Sequence, residues 1–436
     1  MRLAVFIVCG SIGITIAVFG QRDDGVFLLS PDHPAIQYTS LPTSDPISEL
    51  NRNLQDGKVH LKFDGAQGYL PSVLEALNIP IESQMMVFSK TSVQSPIIRP
   101  DQPRTLFFND SVIVGFVHGG FIEVAAQDPK QGAIFYTLDQ SVEDKPVFIR
   151  RNQCLSCHVS YATSGIPGML VRSVVTASDG EAQQQFGQYV SDQRSPFEER
   201  WGGWYVTGKN ISMRHMGNTM ITMLQTSGPI VTNKPVTPES LKGRLDTTAY
   251  LSPYSDIVAL MVFEHQMHMM NLLTRIGWEA RYAEYSEHVK GPMLSESPTQ
   301  APSIPNLTDT ARELVDYLLF VDEAPLSARV QGTSGFTERF SARGPSDSKG
   351  RSLRQFDLER RLMRYPCSYM IYSPAFDALP DEARMAIFQR MWQILSGRES
   401  KDDRYARLSL ADRQAVVEIL RETKKDLPSY FQSTIR

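Results

Sequence analysis

The stretch RNQCLSCHVS, residues 151–160, constrains this chain more than any other part of it. Cys154 and Cys157 are separated by two residues, and His158 follows the second cysteine directly. Two thiols about one helical turn apart, with an imidazole on the same side, can hold a haem through its two vinyl groups and bind its iron. The spacing therefore predicts one covalently attached haem c, with His158 as an axial ligand of the iron.

Three other uses of a C-x-x-C pair compete with haem attachment. A thioredoxin-like redox pair belongs at a strand-to-helix junction of a βαβ unit, whereas the residues around this motif are typical of a loop with a short helix. A zinc site needs a second pair of ligands, and none follows within about forty residues. A disulfide between the two cysteines closes too short a loop to add much stability. Haem attachment is therefore the favoured interpretation.

The amino terminus predicts export. Arg2 precedes a run from Leu3 to Gly20 that carries no charge, and the sequence becomes polar at Gln21. This pattern is typical of a signal peptide, residues 1–20, that is cleaved after Gly20, and it predicts a periplasmic or otherwise exported protein. The alternative is an uncleaved amino-terminal anchor, because the run approaches the length that spans a bilayer. Membrane association is expected only through such a segment or within a larger complex.

Composition and patterning predict an α+β chain. Residues 21–150 and the haem-bearing region 151–235 combine β-branched and aromatic runs with glycine-rich turns, which predicts strands and loops. In residues 236–436 apolar side chains recur at three- and four-residue intervals, which predicts a mainly helical region. The net charge of −4 over 436 residues provides no basic field that would favour a nucleic-acid partner.

Several elements can be placed from local signals. The tripeptide SDG, residues 178–180, predicts a hairpin turn. A helix of about thirty residues is expected to begin near Asp256, with Ser255 as its N-cap. Further helices are predicted at Asp309–Val321, Leu353–Arg364, Asp381–Leu395 and Leu410–Lys425, the last with Ser409 as its N-cap.

Stretches outside the C-x-x-C-H motif resemble a known family. They are GYLPSVLEALNIPIESQMMVFSKTSVQ, RTLFFNDSVIVGFVHGG, GIPGMLVRSV, RSPFEERWGGWYVTG, RHMGN and RLMRYPCSYMIYSPAFDALP. From about residue 35 to residue 430 the chain resembles exported bacterial proteins that carry one c-type haem and are described as cytochrome c domain proteins. The resemblance implies haem binding and electron transfer, and a redox partner protein is expected to exchange the electrons.

The residue that faces His158 across the iron decides between an electron carrier and an enzyme. A methionine or histidine in this position favours electron transfer, whereas an open position lets a small ligand bind. Met216 is the first choice, and Met169, His215 and His265 are the alternatives. An electron carrier is the favoured class. A peroxidase-like or oxygen-handling haem enzyme and a haem-bearing subunit of a larger redox complex remain open.

Other residues are candidates for contacts with the cofactor or with a second metal. Haem carboxylates need cationic or N–H partners, and four residues between the motif and Met216 are predicted to supply them: Arg172, Trp204, Tyr205 and Arg214. Glu264, His265 and His268 lie together on the predicted long helix and could form a separate metal site, although the sequence offers no distant partner for them.

Overall fold

The computed structural model describes residues 30–224, 228–231, 236–290, 307–399 and 402–435. The predicted signal peptide, residues 1–20, lies outside the described residues. The amino-terminal half contains an antiparallel sheet and the carboxy-terminal half contains most of the helical residues. The predicted α+β class is therefore confirmed.

Most of the strands form one seven-stranded sheet. Its strands are β1 (Met85–Val87), β2 (Arg104–Phe108), β3 (Val112–Phe116), β4 (Ile122–Asp128), β5 (Gly132–Leu138), β6 (Ile149–Arg150) and β9 (Trp204–Tyr205). They are ordered β6-β5-β4-β3-β2-β1-β9, and every pair is antiparallel. Because β9 lies after the C-x-x-C-H motif in the chain, the region that follows the motif contributes an edge strand to this sheet.

Two small ribbons lie outside the large sheet. They are β7 (Arg172–Val174) with β8 (Gln188–Val190), and β10 (Ile221–Leu224) with β11 (Gly228–Val231). The β7–β8 pair is antiparallel and encloses residues 178–180, which confirms the hairpin predicted there. Gly180 adopts a positive φ of 87°, a conformation that is easy for glycine and strained for other residues.

The helices cover both faces of the large sheet. In the described part of the chain they are α1 (Pro46–Gln55), α2 (Leu70–Ala76), α3 (Leu155–His158), α4 (Ile257–Lys290), α5 (Leu307–Leu318), α6 (Phe336–Ser341), α7 (Pro374–Asp377), α8 (Asp381–Leu395) and α9 (Leu410–Thr423). Helices α1 and α2 pack on one face, against side chains such as Val114 and Val124. Helix α4 packs on the other face, where Phe108 and Phe135 lie in the same core as its apolar residues. Apolar strands such as β3 are therefore buried on both sides.

Most of the predicted helices are present, but one prediction is wrong. Residues 353–364, predicted as a helix, form turns and an isolated bridge between Phe356 and Met363. Arg354 is buried, and its guanidinium stacks on the rings of Phe340 and Tyr369 and pairs with Asp110. These tertiary contacts override the local helical spacing.

The N-cap of α4 also differs from the prediction. The Asp256 carboxylate, not the Ser255 hydroxyl, accepts hydrogen bonds from the Val258 and Ala259 N–H groups, at 2.8 and 3.3 Å. The Ser255 hydroxyl instead donates to the Tyr205 carbonyl at 2.6 Å and accepts from the Met86 N–H at 2.9 Å. Ser255 therefore joins the start of α4 to two strands of the sheet, while the predicted cap of α9, Ser409, forms a capping box as expected.

Candidate functional site

The C-x-x-C-H motif lies in a short helical segment next to edge strand β6. A 3₁₀ turn, Asn152–Cys154, follows this strand and continues into α3, which ends at His158. Cys154 is half-buried, Cys157 is exposed, and both are free thiols. Side chains three positions apart in a helical turn point to the same side, so the two thiols share one side of this turn.

The surroundings of the motif disfavour two other uses of the thiols. Burial raises the pKa of the Cys154 thiol, and the negative charge of Glu123 adds to the effect. A redox-active pair needs the reverse, a lowered pKa that favours the thiolate. Among the residues that the structure describes, no group of three or more His, Cys, Asp or Glu side chains could hold a metal ion. A zinc site at the motif therefore has no further ligands there.

The imidazole of His158 is oriented as a metal-binding histidine would be. Its Nδ1–H donates to the Gly168 carbonyl at 2.9 Å, because a carbonyl oxygen can only accept. Burial lowers the pKa of His158, with the Gly168 contact opposing this effect, and the neutral ring is favoured. Within the described residues Nε2 has no hydrogen-bond partner. The second ring nitrogen therefore carries an available lone pair, which is how a histidine ligand is usually prepared.

The Gly168 carbonyl is held in place from two sides. The Asn271 side chain, on α4, accepts a hydrogen bond from the Met169 N–H at 3.0 Å and donates to the Met169 carbonyl at 2.7 Å. The preceding carbonyl, that of Pro167, accepts from the Ala133 N–H at 3.1 Å. A Cβ added at Gly168 would lie 2.3 Å from Asn271 Oδ1, so a glycine is needed for this close approach. Helix α4 and the sheet thus fix the hydrogen bond that orients His158.

The haem predicted at this motif has a suitable set of residues in the structure. Cys154 and Cys157 would form the thioether bonds, because both are free thiols on one side of a helical turn. His158 would bind the iron through Nε2, because Nδ1 is already occupied by the Gly168 carbonyl. The ring of His158 also packs against the ring of Phe135, with 4.5 Å between their centroids. This contact limits rotation of the imidazole.

Two of the four residues proposed for the sixth position of the iron are methionines. Met169 directly follows Gly168 and is partly buried against the main core. Met216 is partly buried too, and its sulfur accepts a hydrogen bond from the Ser173 hydroxyl at 3.6 Å. Its backbone N–H donates to the Arg200 carbonyl at 3.0 Å. Of these two, Met169 is the one in the segment that contacts His158.

The two histidine alternatives are engaged in other contacts. His265 is fully buried, with Nδ1 2.5 Å from Gln193 Oε1 and Nε2 2.7 Å from the Ser368 hydroxyl. His215 is buried against the ring of Trp201, and its Nε2 lies 2.7 Å from the Thr237 hydroxyl. Burial lowers the pKa of both rings, to about 3 for His265 and about 4 for His215. Both rings are therefore neutral interior groups. His265 has both ring nitrogens hydrogen-bonded, whereas Nδ1 of His215 is buried without a partner among the described residues.

The candidate metal site at Glu264, His265 and His268 consists of side chains that are bonded to other protein groups. Glu264 is buried and pairs with Arg200 at 3.1 Å. The His268 ring packs on Tyr317, with 4.6 Å between the ring centroids, and its Nε2 lies 3.1 Å from an Arg194 nitrogen. No metal-binding group was found among the described residues. The cluster therefore contributes a buried polar network that joins α4 to the segment around residues 193–200.

The four residues predicted to contact the haem carboxylates are not brought together. Trp204 and Arg172 are neighbours, since the Trp204 indole N–H donates to the Arg172 carbonyl at 2.8 Å. Tyr205 follows Trp204 on β9 and lies in a separate core cluster, where its hydroxyl donates to the Pro100 carbonyl at 2.7 Å. Arg214 is exposed. Arg172 donates to the Gln188 side chain.

The structure places four further residues around His158 that the sequence did not point to. Phe135 and Asn271 are distant in the chain, and nothing local in the sequence marks them. Arg151 carried a weak signal, because it is a cation three residues before Cys154. Gly168 carried another, since it stands in a Pro-Gly turn ten residues after His158.

Comparison with known proteins adds no relative. No family model, no curated protein and no solved structure matches the chain. The resemblance to cytochrome c domain proteins therefore rests on the sequence stretches alone. None of the helices in the described ranges is both long and apolar enough to cross a membrane.

Proposed function

We propose that this protein is an exported monohaem c-type cytochrome that passes single electrons to or from a redox partner protein. One observation carries the proposal: His158 donates through Nδ1 and leaves Nε2 without a partner among the described residues, next to two free thiols on one helical turn. The haem, when attached, supplies a one-electron couple between ferric and ferrous iron. Export follows from the charge-free segment between Leu3 and Gly20.

The chain itself performs three tasks in this proposal. Cys154 and Cys157 fix the cofactor covalently, so that it stays bound in both oxidation states. The Gly168 carbonyl keeps the proton on Nδ1 of His158 and raises the basicity of Nε2. Phe135 and helix α4 hold the ring and the carbonyl in a fixed arrangement, which keeps the structural change on electron transfer small. Met216, with Met169 as its alternative, is proposed for the sixth position of the iron.

A haem enzyme with an open sixth position is the second candidate. It is favoured by the surroundings of the two histidines that the sequence predicts as alternative sixth ligands. His265 has both ring nitrogens hydrogen-bonded. His215 has one, Nε2, hydrogen-bonded to Thr237, and its other nitrogen, Nδ1, is buried inside the protein, so neither ring is open to a haem iron in this conformation. Among the proposed residues, only the thioethers of the two methionines then remain as candidates for the sixth position.

The experiment uses the full chain, produced together with a haem-attachment system. A pyridine-haemochrome spectrum of the wild-type protein should show one covalent haem c per chain. Cys154→Ala and Cys157→Ala should reduce the covalent yield, whereas Cys367→Ala is the matched control, because Cys367 is a buried free thiol elsewhere in the core. Wild-type protein without covalent haem would refute the proposal.

Carbon monoxide separates the two candidate functions. A carrier with a thioether ligand should bind carbon monoxide slowly in the ferrous state and show the thioether band at the red end of the ferric spectrum. An enzyme with an open position should bind carbon monoxide at once and lack this band. Rapid binding would therefore overturn the carrier in favour of the enzyme.

A further inference from the structure

One end of the sheet face next to His158 carries a charged cluster. Phe135, which packs on the imidazole, lies opposite Arg151, whose backbone N–H donates to the Phe135 carbonyl at 2.8 Å. The Arg151 Nε–H donates to the Thr137 hydroxyl at 2.8 Å, two residues further along β5. Residues two apart in a strand share a face. The Arg151 side chain therefore lies on the face that His158 contacts.

The same face carries a second arginine. Thr137 pairs in register with Glu123 on β4, and Glu123 pairs with Gly115 on β3. The Arg104 guanidinium forms an ion pair with the Glu123 carboxylate, which also accepts from the Ser92 hydroxyl at 2.9 Å. Diagonal neighbours on a sheet face lie about 7–8 Å apart, so Glu123 is close to Phe135.

Gly115 makes room for Arg104. A Cβ added at this glycine would lie 2.8 Å from Nη2 and 3.0 Å from Nε of Arg104. The side chains of Arg104 and Glu123 are only 21% and 15% exposed. A partly buried ion pair over a glycine is a fixed arrangement, in contrast to a mobile surface pair. Arg104 is therefore held on the sheet face and does not extend into solvent.

The charged side chains of this cluster influence the pKa values of both His158 and Cys154. Burial dominates the lowered pKa of His158, but Arg104 lowers it further and Glu123 raises it. At Cys154 the raised pKa is again due first to burial, with Glu123 adding to the effect and Arg151 opposing it. Two guanidinium groups and one carboxylate leave a net positive charge beside His158.

Arg151 has unused hydrogen-bonding capacity. In the described ranges its two terminal nitrogens bind no acceptor, and no carboxylate pairs with it. A planar guanidinium binds a carboxylate through two parallel hydrogen bonds, which the compact ammonium group of a lysine cannot do. The terminal nitrogens of Arg151 therefore suit a carboxylate ligand. The anionic groups that a haem brings to this site are its two carboxylate side chains.

We infer that Arg104 and Arg151 form the subsite for the carboxylates of the cofactor attached at Cys154 and Cys157, and that their positive charge raises the reduction potential of its iron. Glu123 acts as a positioning residue that holds Arg104 over Gly115. This inference rests on the proposed function. It replaces Tyr205 and Arg214, which the structure does not place with His158, as the partners of the haem carboxylates.

The test measures reduction potentials of protein that carries covalent haem. Arg104→Gln and Arg151→Gln should each shift the equilibrium toward ferric iron, by about three- to tenfold in the ratio of ferrous to ferric protein at a fixed ambient potential. A tenfold change corresponds to ~59 mV for one electron. Glu123→Gln should shift the ratio in the opposite direction, because it removes a negative charge. Arg312→Gln, which removes an exposed arginine paired with Asp309 on α5, is the matched control.

The pH dependence of the reduction potential shows whether the arginines bind the haem carboxylates or only add positive charge near the iron. A haem carboxylate held by an arginine has a lowered pKa, and the pKa rises when the arginine is removed. The potential of Arg104→Gln or Arg151→Gln should therefore fall more steeply with rising pH, over about pH 5 to 8, than that of the wild type.

The outcomes separate the two proposals. If both arginine variants keep covalent haem and have the potential and pH dependence of Arg312→Gln, the subsite is refuted and the cytochrome stands. If the wild type carries no covalent haem, both proposals fail. Where Arg104→Gln does not fold, Arg104→Lys retains the charge and should restore the wild-type potential. A Lys variant that folds but shows a potential as low as that expected for the Gln variant would also refute the inference.

Discussion

Asn271 offers a sensitive test of how His158 is oriented. Its amide is 1% exposed and makes two hydrogen bonds with the Met169 backbone. Each buried backbone group left unpaired costs about 1–3 kcal/mol, so loss of both partners in Asn271→Ala should lower the free energy of unfolding by about 2–6 kcal/mol. It should also loosen the Gly168 carbonyl that binds Nδ1 of His158. Loss of such a supporting contact typically weakens a metal ligand by about ten- to a hundredfold.

Acid titration of the covalent haem protein measures this weakening. A proton competes with iron for Nε2 of His158, so a weaker bond is displaced at higher pH. The midpoint of the acid-induced change in the optical spectrum should therefore rise by about one to two pH units in Asn271→Ala. Urea unfolding of the same protein gives the accompanying loss of stability.

Gln266 provides the matched control for this prediction. It is buried on the same helix and also makes two hydrogen bonds, to the Asn109 carbonyl at 2.7 Å and from the Tyr369 hydroxyl at 2.6 Å. Gln266→Ala should cost a similar free energy of unfolding and leave the acid midpoint unchanged. Equal midpoints in the two variants would contradict the role assigned to the Gly168 and Asn271 contacts.

Three further predictions concern single side chains. Burial raises the pKa of the Glu323 carboxyl group from 4.5 to about 7, so the native state binds the carboxyl proton more tightly than the unfolded chain does. This tighter binding stabilises the native state by up to about 3 kcal/mol. The contribution is fully present below pH 4.5 and is lost as the pH rises through 7. Glu323→Gln should flatten this part of the urea-unfolding profile, and an unchanged slope would refute the assignment. His265→Ala should lower the free energy of unfolding by about 2–5 kcal/mol and leave the ferric spectrum intact; a changed axial-ligand band would identify His265 as a ligand. Met216→Leu should remove the thioether band of the ferric spectrum while Met169→Leu retains it, and the reverse result would assign Met169 instead.

Sequence patterns predicted the structural features that are determined by residues close together in the chain. The helical turn at Cys154–His158, the hairpin at residues 178–180 and the helix Asp381–Leu395 all follow from spacing or turn chemistry within a few residues, and the structure contains each of them. The surroundings of His158 could not be obtained in this way. Asn271 lies 102 residues from the Met169 backbone that it holds, and no periodicity encodes such a contact.

The wrong expectations have a similar cause. Residues 353–364 have helical spacing, but the buried cation of Arg354 requires its aromatic and acidic partners, and none of these lies within the segment. Tyr205 and Trp204 are predicted together as haem-carboxylate contacts because both lie between the motif and Met216, yet adjacent strand residues point to opposite faces of a sheet. Arg104 and Glu123 come close to His158 only because β2 to β5 align in register. Pairing between strands therefore decided which charges surround the site.

The mass of the denatured chain tests the central claim most directly. Protein matured with the haem-attachment system should be heavier than the bare polypeptide by one haem, and this increase should survive denaturation. It should persist in Cys367→Ala and be lost when Cys154 and Cys157 are both replaced by alanine. An unmodified mass for the wild-type chain, or an increase that persists without Cys154 and Cys157, would contradict the account.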